Sequence, residues 1–207
     1  MCTRYFIERN SEQIAPYILR ARDSVLYGSF LRIGKELATE GEIRPTDVVP
    51  VLASNRRGEP SVFPMRWGYK EPERSLLVNA RAETASVKPT FRDGWRQHRC
   101  IVPASGYYEW EHFEDRDGNR KTGEKYAVRS EGDSTIWMCG LYRIRDGLPE
   151  FVILTKDANN VVRQIHDRMP LMLNREAAMK WIDPGSSPGQ ILPNAMENVM
   201  MQQAQKG

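Results

Sequence analysis

The second residue is a cysteine, Cys2, directly after the initiator Met1. A small second residue allows that methionine to be removed. The mature chain then opens with a free α-amine and a thiol on adjacent carbons. Such an aminothiol condenses with an aldehyde. The amine gives an imine, and the thiol closes on the imine carbon to form a thiazolidine ring. The α-amine, with a pKa of about 7.7–8.0, keeps an appreciable neutral fraction at neutral pH. The thiol, ordinarily near about 8.5, needs modest help from a base or a nearby cation. The alternative for Cys2 is an incidental small residue at a frayed end.

Three other segments carry side chains suited to such chemistry. In "NARAETA", Asn79 to Ala85, an amide, a guanidinium and a carboxylate occupy alternate positions at Asn79, Arg81 and Glu83. A strand would place all three on one face. That face is either solvent-exposed or lines a site. In "RCIVPASGYYEW", Arg99 to Trp110, Glu109 lies between Tyr108 and Trp110. A carboxylate held among aromatics tends to have a raised pKa, which suits proton transfer. The alternative is a surface glutamate with aromatics packed behind it. In "IHDRMP", Ile165 to Pro170, His166 stands at a helix-to-strand junction, where a histidine is either structural or a proton-transfer group. Cys100 and Cys139 sit in apolar runs and read as buried small hydrophobes. His98 and His112 read as surface residues. No CxxC or HxxxH pair is present, so neither a metal nor a cofactor is expected.

The elements that must position these groups follow from the apolar patterning. Met1 to Ile7 reads as a strand. Ser11 to Arg20 and Ser24 to Thr39 have helical spacing, with Gly41 ending the second helix. Strand-like runs recur at Ser61 to Tyr69, Ser75 to Ala80, Arg99 to Trp110, Lys125 to Arg129, Thr135 to Ile144 and Phe151 to Thr155. Asp157 to Ile165 reads as a helix capped by Asp157, and Asn174 caps Arg175 to Ile182. The tail after Pro184, rich in Pro, Gly, Gln and Met, reads as loosely held. The expectation is a single α+β domain over residues 2–207. Its sheet is curved, largely antiparallel and barrel-like, with flanking helices.

Composition bounds the function classes. The chain has 207 residues, 40% hydrophobic and 28% charged, with a net charge of +3, so it can bury one sizeable core and is not globally disordered. No apolar run approaches the ~20 residues of a membrane-spanning helix. Arg4, Glu8 and Arg9 interrupt any leader-like start, so a cytoplasmic location is expected. Three widely spaced cysteines read as free thiols. Residues 54–70 carry four basic and one acidic residue, and residues 81–100 five basic and two acidic, a local net of +3 in each. Two basic segments flanking aromatics suit a phosphate-tracking groove or two solvated faces.

The segments "MCTRY", "PTDVVP", "PMRWGY", "NARAETA", "KPTFRDGWRQHRCIVPASGYYEW" and "IHDRMPLML" together resemble the SOS response-associated peptidase (SRAP) family of abasic-site processing proteins. The likeness covers most of the chain. It implies a covalent sensor of abasic sites in single-stranded DNA, whose cysteine forms a thiazolidine with the ring-opened deoxyribose aldehyde. The implied catalytic set is Cys2, Asn79, Glu109 and His166. Arg4 and Arg81 would hold phosphates. Trp67 would offer a base-stacking surface and, with Pro50, lie beside the DNA junction. The implied partners are single strands with abasic sites and single-strand/duplex junctions, with no membrane. The protein would act as a monomer, nucleoid-associated if bacterial, with autoproteolytic peptidase activity and possible lyase activity. A thiol peptidase using Cys2 and a noncovalent single-strand binding module are the competing readings. The chain departs from the family's usual MCGR start at Thr3, and Asp47 stands where an asparagine is usual; no role is assigned to Asp47.

Overall fold

The computed structural model describes residues 2–71, 75–115 and 117–204. In chain order the strands are β1 (Arg4–Ile7), β2 (Gly41–Ile43), β3 (Val48–Ser54), β4 (Pro60–Trp67), β5 (Asn79–Arg81), β6 (Arg99–Ala104), β7 (Gly106–Glu114), β8 (Arg120–Ser130), β9 (Ile136–Arg145), β10 (Leu148–Asp157), β11 (Arg168–Pro170), β12 (Met172–Leu173) and β13 (Val199–Gln203). The helices are α1 (Ala15–Arg22), α2 (Val25–Arg32), α3 (Ala82–Ala85), α4 (Pro89–Gln97), α5 (Arg175–Ile182) and α6 (Pro188–Ile191).

The strands form two sheets. One is antiparallel throughout, in the order β13-β8-β7-β1-β2. In the other, β10-β4-β3-β6-β9 runs as a path whose ends also pair, β9 with β10, so the strands close into a small barrel. Among the pairings between these described strands, only those of β10 with β4 and β5 are parallel. The expected α+β class with a curved, largely antiparallel, barrel-like sheet is therefore what the chain adopts.

Alternation explains why the second sheet is apolar on both faces. Val49, Val51, Ala53, Met65, Trp67, Cys100 and Val102 join one core, which also holds Cys2, Tyr5 and Tyr107 from the first sheet. Their neighbours Val48, Leu52, Ile101, Cys139 and Leu141 join a second core with Phe30, Phe91 and Trp181 from the helices. A strand covered on both sides reads as a continuous apolar run, and β6 is buried at all six positions.

Several boundaries differ from the sequence reading, each for a local reason. Helix α2 stops at Arg32, because Gly34 (φ 70°) takes the left-handed conformation that ends a helix, and Leu37 bridges to Val48 instead of continuing the helix. Gly41 (φ 79°) opens β2. Asp157 caps no helix. It ends β10, and only a 3₁₀ turn follows at Val162–Gln164, where Asn159 Oδ1 accepts from the Val162 N–H at 2.9 Å. Asn174 does cap α5, its Oδ1 accepting from the Ala177 N–H at 2.8 Å. The tail is not loose through Gln203: β13 pairs with β8 over five residues, and Val199 is 2% exposed.

Two residues expected beside DNA lie in the core. Trp67 is 0% exposed, its ring 5.2 Å from Tyr5 and 6.4 Å from Phe151 between centroids. Pro50 is buried in β3 opposite Pro64. Neither can stack on a base or wedge a junction, because both faces of these strands are covered. Trp67 Nε1 instead donates to the Val78 carbonyl at 3.0 Å, next to Asn79. Trp67→Ala is therefore expected to lower folding stability by about 3–5 kcal/mol. Thermal melting of the purified variant checks this; a Tm close to the parent's would mean that Trp67 is not a core residue.

Candidate functional site

The site is assembled where the first sheet meets the barrel. Strand β1 runs antiparallel to β7 with Arg4 opposite Tyr108, which carries the preceding residues Thr3 and Cys2 towards Glu109 and Trp110. Asn79 opens β5, which is held parallel to β10 with Asn79 opposite Ile153. From there Asn79 Nδ2 donates to the Cys2 carbonyl at 2.8 Å. This bond clamps the backbone of the second residue. The Trp67 indole and the Ile153 N–H both hold the Val78 carbonyl, so the strand that carries Asn79 is fixed from behind.

Glu109 sits on β7 opposite Tyr126 and is 2% exposed. His166 follows the 3₁₀ turn, and its N–H bonds the Val162 carbonyl at 2.9 Å. Its Nδ1 accepts the Arg168 N–H at 2.9 Å and lies 2.9 Å from Asp167 Oδ1. The Nδ1 edge is thus turned to its own loop. The side chains of Glu109 and His166 meet at an open cleft of about 790 Å³, with Arg4, Arg81, Trp110 and Arg168 also in its walls. Cys2 lies behind Thr3, fully buried.

Burial sets the protonation of both reactive groups. It pushes the Cys2 thiol far above its ordinary value, and the Glu109 carboxylate pushes it further. The thiol is therefore S–H, directed at the Arg4 carbonyl at 3.5 Å. Among the described residues no cation offsets this, contrary to the help expected from the sequence. Burial also raises the Glu109 carboxyl above its usual range, with Asp167 adding to the shift. A carboxylate so placed readily takes a proton.

Of the residues singled out in the sequence, Cys2, Asn79, Glu109 and His166 come together, and Arg4 and Arg81 line the cleft. Arg81 is exposed. Arg4 donates to the Thr3 carbonyl at 2.8 Å and pairs with Glu42 at 3.1 Å, which stiffens the N-terminal turn. Glu83 does not share the face of Asn79 and Arg81. The strand ends at Arg81, and Glu83 lies in the first turn of α3, where both its oxygens accept from Arg168 at 2.8 Å. Arg168 was missed in the sequence although "IHDRMP" contains it. It also bonds Asp157 and the Thr155 carbonyl, and so ties the His166 loop to β10. Trp110 was missed too; it is the half-buried aromatic of the cleft, with the Lys125 ammonium 5.4 Å from its ring centre. Asp47 closes a turn, its Oδ2 accepting from the Arg44 N–H at 2.7 Å. His98 is half-buried against Tyr142, ring centres 4.9 Å apart, rather than a free surface residue.

A buried cysteine at the second position, its carbonyl held by an amide, lies behind a cleft where a carboxylate and an imidazole meet among arginines, on an α+β barrel. The chain belongs to the SOS response associated peptidase (SRAP) family, whose profile it matches over residues 1–206. It is 30% identical over 179 residues to the abasic site processing protein YoqW of Bacillus subtilis (strain 168), covering 76% of this chain and 75% of that protein. It is 32% identical over 138 residues to the abasic site processing protein YedK of Escherichia coli (strain K12), covering 64% and 60% respectively. A crystal structure of a protein from Bacteroides thetaiotaomicron superposes with a TM-score of 0.74 over 99% of this chain and 92% of that one, at 24% identity, a likeness of fold. No helix of the described residues is long and apolar enough to cross a membrane.

Proposed function

We propose that this protein senses and processes abasic sites in single-stranded DNA by covalent capture at Cys2, after removal of Met1. The observation that carries the reading is the 2.8 Å bond from Asn79 to the Cys2 carbonyl, which holds the second residue at the cleft where Glu109 and His166 meet. Family membership supports it, as do the names of the relatives. The amine adds to the ring-opened aldehyde and loses water to give an imine. The thiol then adds across the imine, carbon taking sulfur and nitrogen taking the proton. Because the thiol rests as S–H, the amine reacts first, and Glu109 relays the thiol proton to that nitrogen as the ring closes. His166 assists opening of the sugar. An open imine acidifies the neighbouring C2′ protons and invites loss of the 3′ phosphate, a lyase step; closure by the thiol removes that route.

A peptidase acting on other chains is less well supported, since a nucleophilic cysteine needs its thiolate and this one is held protonated. Hydrolysis of the Met1–Cys2 bond is retained as the step that frees the amine. The test is direct. Protein is mixed with single-stranded DNA carrying one abasic site and run on a denaturing gel. A covalent band is expected. Binding that vanishes on denaturation, with intact DNA bound equally well, would replace this reading by a noncovalent one.

On this reading the chain works as a monomer over residues 2–207, on single strands and at single-strand/duplex junctions, because extruding the lesion from continuous duplex costs a few kcal/mol. Arg81, exposed at the cleft, holds a backbone phosphate. Arg81→Ala is expected to weaken binding to all sequences alike and to flatten the salt dependence by about 0.7 in log–log slope, the value for one single-strand phosphate. Affinity measured across a salt series checks this; an unchanged slope would remove Arg81 from the DNA path.

A further inference from the structure

The cleft holds one more side chain than covalent capture uses. Glu109, His112 and His166 each present a donor atom, and these atoms all lie within 4.8 Å of one another. We propose that these three residues bind a zinc ion, with the fourth position open to the cleft.

The donor set is the first argument. Two imidazoles and a carboxylate, with a coordination site left free, suit a borderline cation such as zinc. Bond lengths of about 2.0–2.2 Å in a tetrahedron place donors roughly 3.3 Å apart. The three groups here need to draw in only modestly, and side-chain torsions supply that without moving a strand.

The backbone supplies the second argument. Residues three apart on an unbroken strand point to opposite faces. Between Trp110 and His112, however, the β7–β8 register slips, and Glu109 and His112 bring their donors to the same place. Such irregularities re-aim side chains beside functional sites. The rings of His112 and His166 lie edge to face, centres 5.7 Å apart.

The surroundings fit a cation. Asp167 Oδ1 lies 2.9 Å from His166 Nδ1, which places a carboxylate behind the ring. Two of the cleft's arginines are already neutralised, Arg4 by Glu42 and Arg168 by Glu83 and Asp157. Sequence spacing gives no metal motif because His166 comes from a distant loop and the other two ligands straddle a strand irregularity.

Zinc chloride is titrated into metal-free protein by calorimetry, and Co²⁺ replaces it for visible absorption, which reports the coordination geometry. One ion per chain is expected, with a zinc-dependent rise in Tm. His112→Ala should weaken binding at least tenfold, as loss of one of three protein ligands would. Cys2→Ala should keep it. Absence of binding to the folded parent, binding that survives His112→Ala in a variant with a parental circular dichroism spectrum, or binding lost in Cys2→Ala would each overturn the proposal. Binding is read without DNA, so it stands or falls apart from covalent capture. A consequence does rest on that reading: zinc occupies Glu109 and His166, so saturating zinc should slow capture and a chelator restore it. Capture at full rate with zinc bound would show that the ion sits elsewhere. Failure of the metal-free protein to capture would count against the abasic-site reading alone.

Discussion

Replacing Cys2 by alanine is expected to abolish the heat-stable DNA adduct altogether while the protein stays folded. The Asn79 bond goes to the Cys2 carbonyl, not to the thiol, so the N-terminal clamp survives the change. What is lost is the sulfur that closes the ring. Cys2→Ser separates the two halves of the chemistry. Its amine still forms an imine, but no thiazolidine follows, so the adduct should be reversible and strand cleavage should rise. An N-terminal extension that blocks the α-amine should be as damaging as Cys2→Ala, although the buried thiol remains. Intact mass of the active protein should lack Met1. The measurement is a denaturing gel with single-stranded abasic DNA, before and after heating. Full crosslinking by a protein with a blocked amine would sink the mechanism.

The fold was legible wherever burial is two-sided or alternation is strict. β6 and β10 read as strands because their apolar runs admit little else. The errors fall where local pattern and tertiary pairing disagree. Leu37 kept the spacing of the helix before it, yet it pairs with Val48 once Gly34 has turned the chain. The C-terminal tail looked loose because its composition is polar, but a β-ladder is made by the backbone, which composition does not report. One buried anchor, Val199, seats it.

The site was legible in types more than in faces. Cys2, Asn79, Glu109 and His166 lie far apart in sequence, and their convergence was readable only through the order of the segments that carry them. Trp67 is placed at the DNA by the family resemblance and because an aromatic can stack on a base, but residue type does not say which side of a strand is covered. Trp110, one position beyond Glu109, is the aromatic the cleft exposes. Glu83 was grouped with Asn79 and Arg81 by alternation, which lapses when a strand stops at its third residue. The same limit hid His112, which stands three residues beyond Glu109 where the β7–β8 register slips.

Glu109→Gln is expected to slow adduct formation by about 10²–10⁴-fold, the range of a general acid–base group. The substitution keeps the shape of a side chain that is 2% exposed, so packing on β7 should be retained. It removes the group that takes the thiol proton, and the buried thiol has no comparable acceptor in the Arg4 carbonyl it faces. His166→Gln should slow the reaction at an earlier stage, when the sugar ring opens. The two losses therefore differ in kind: a substrate supplied as an open-chain aldehyde should rescue His166→Gln but not Glu109→Gln. Single-turnover rates are to be compared with affinity for a nonreactive abasic analogue. If rate and affinity fall together, both residues bind or support the site rather than move protons. If the aldehyde substrate rescues both variants equally, the division of labour between carboxylate and imidazole is wrong.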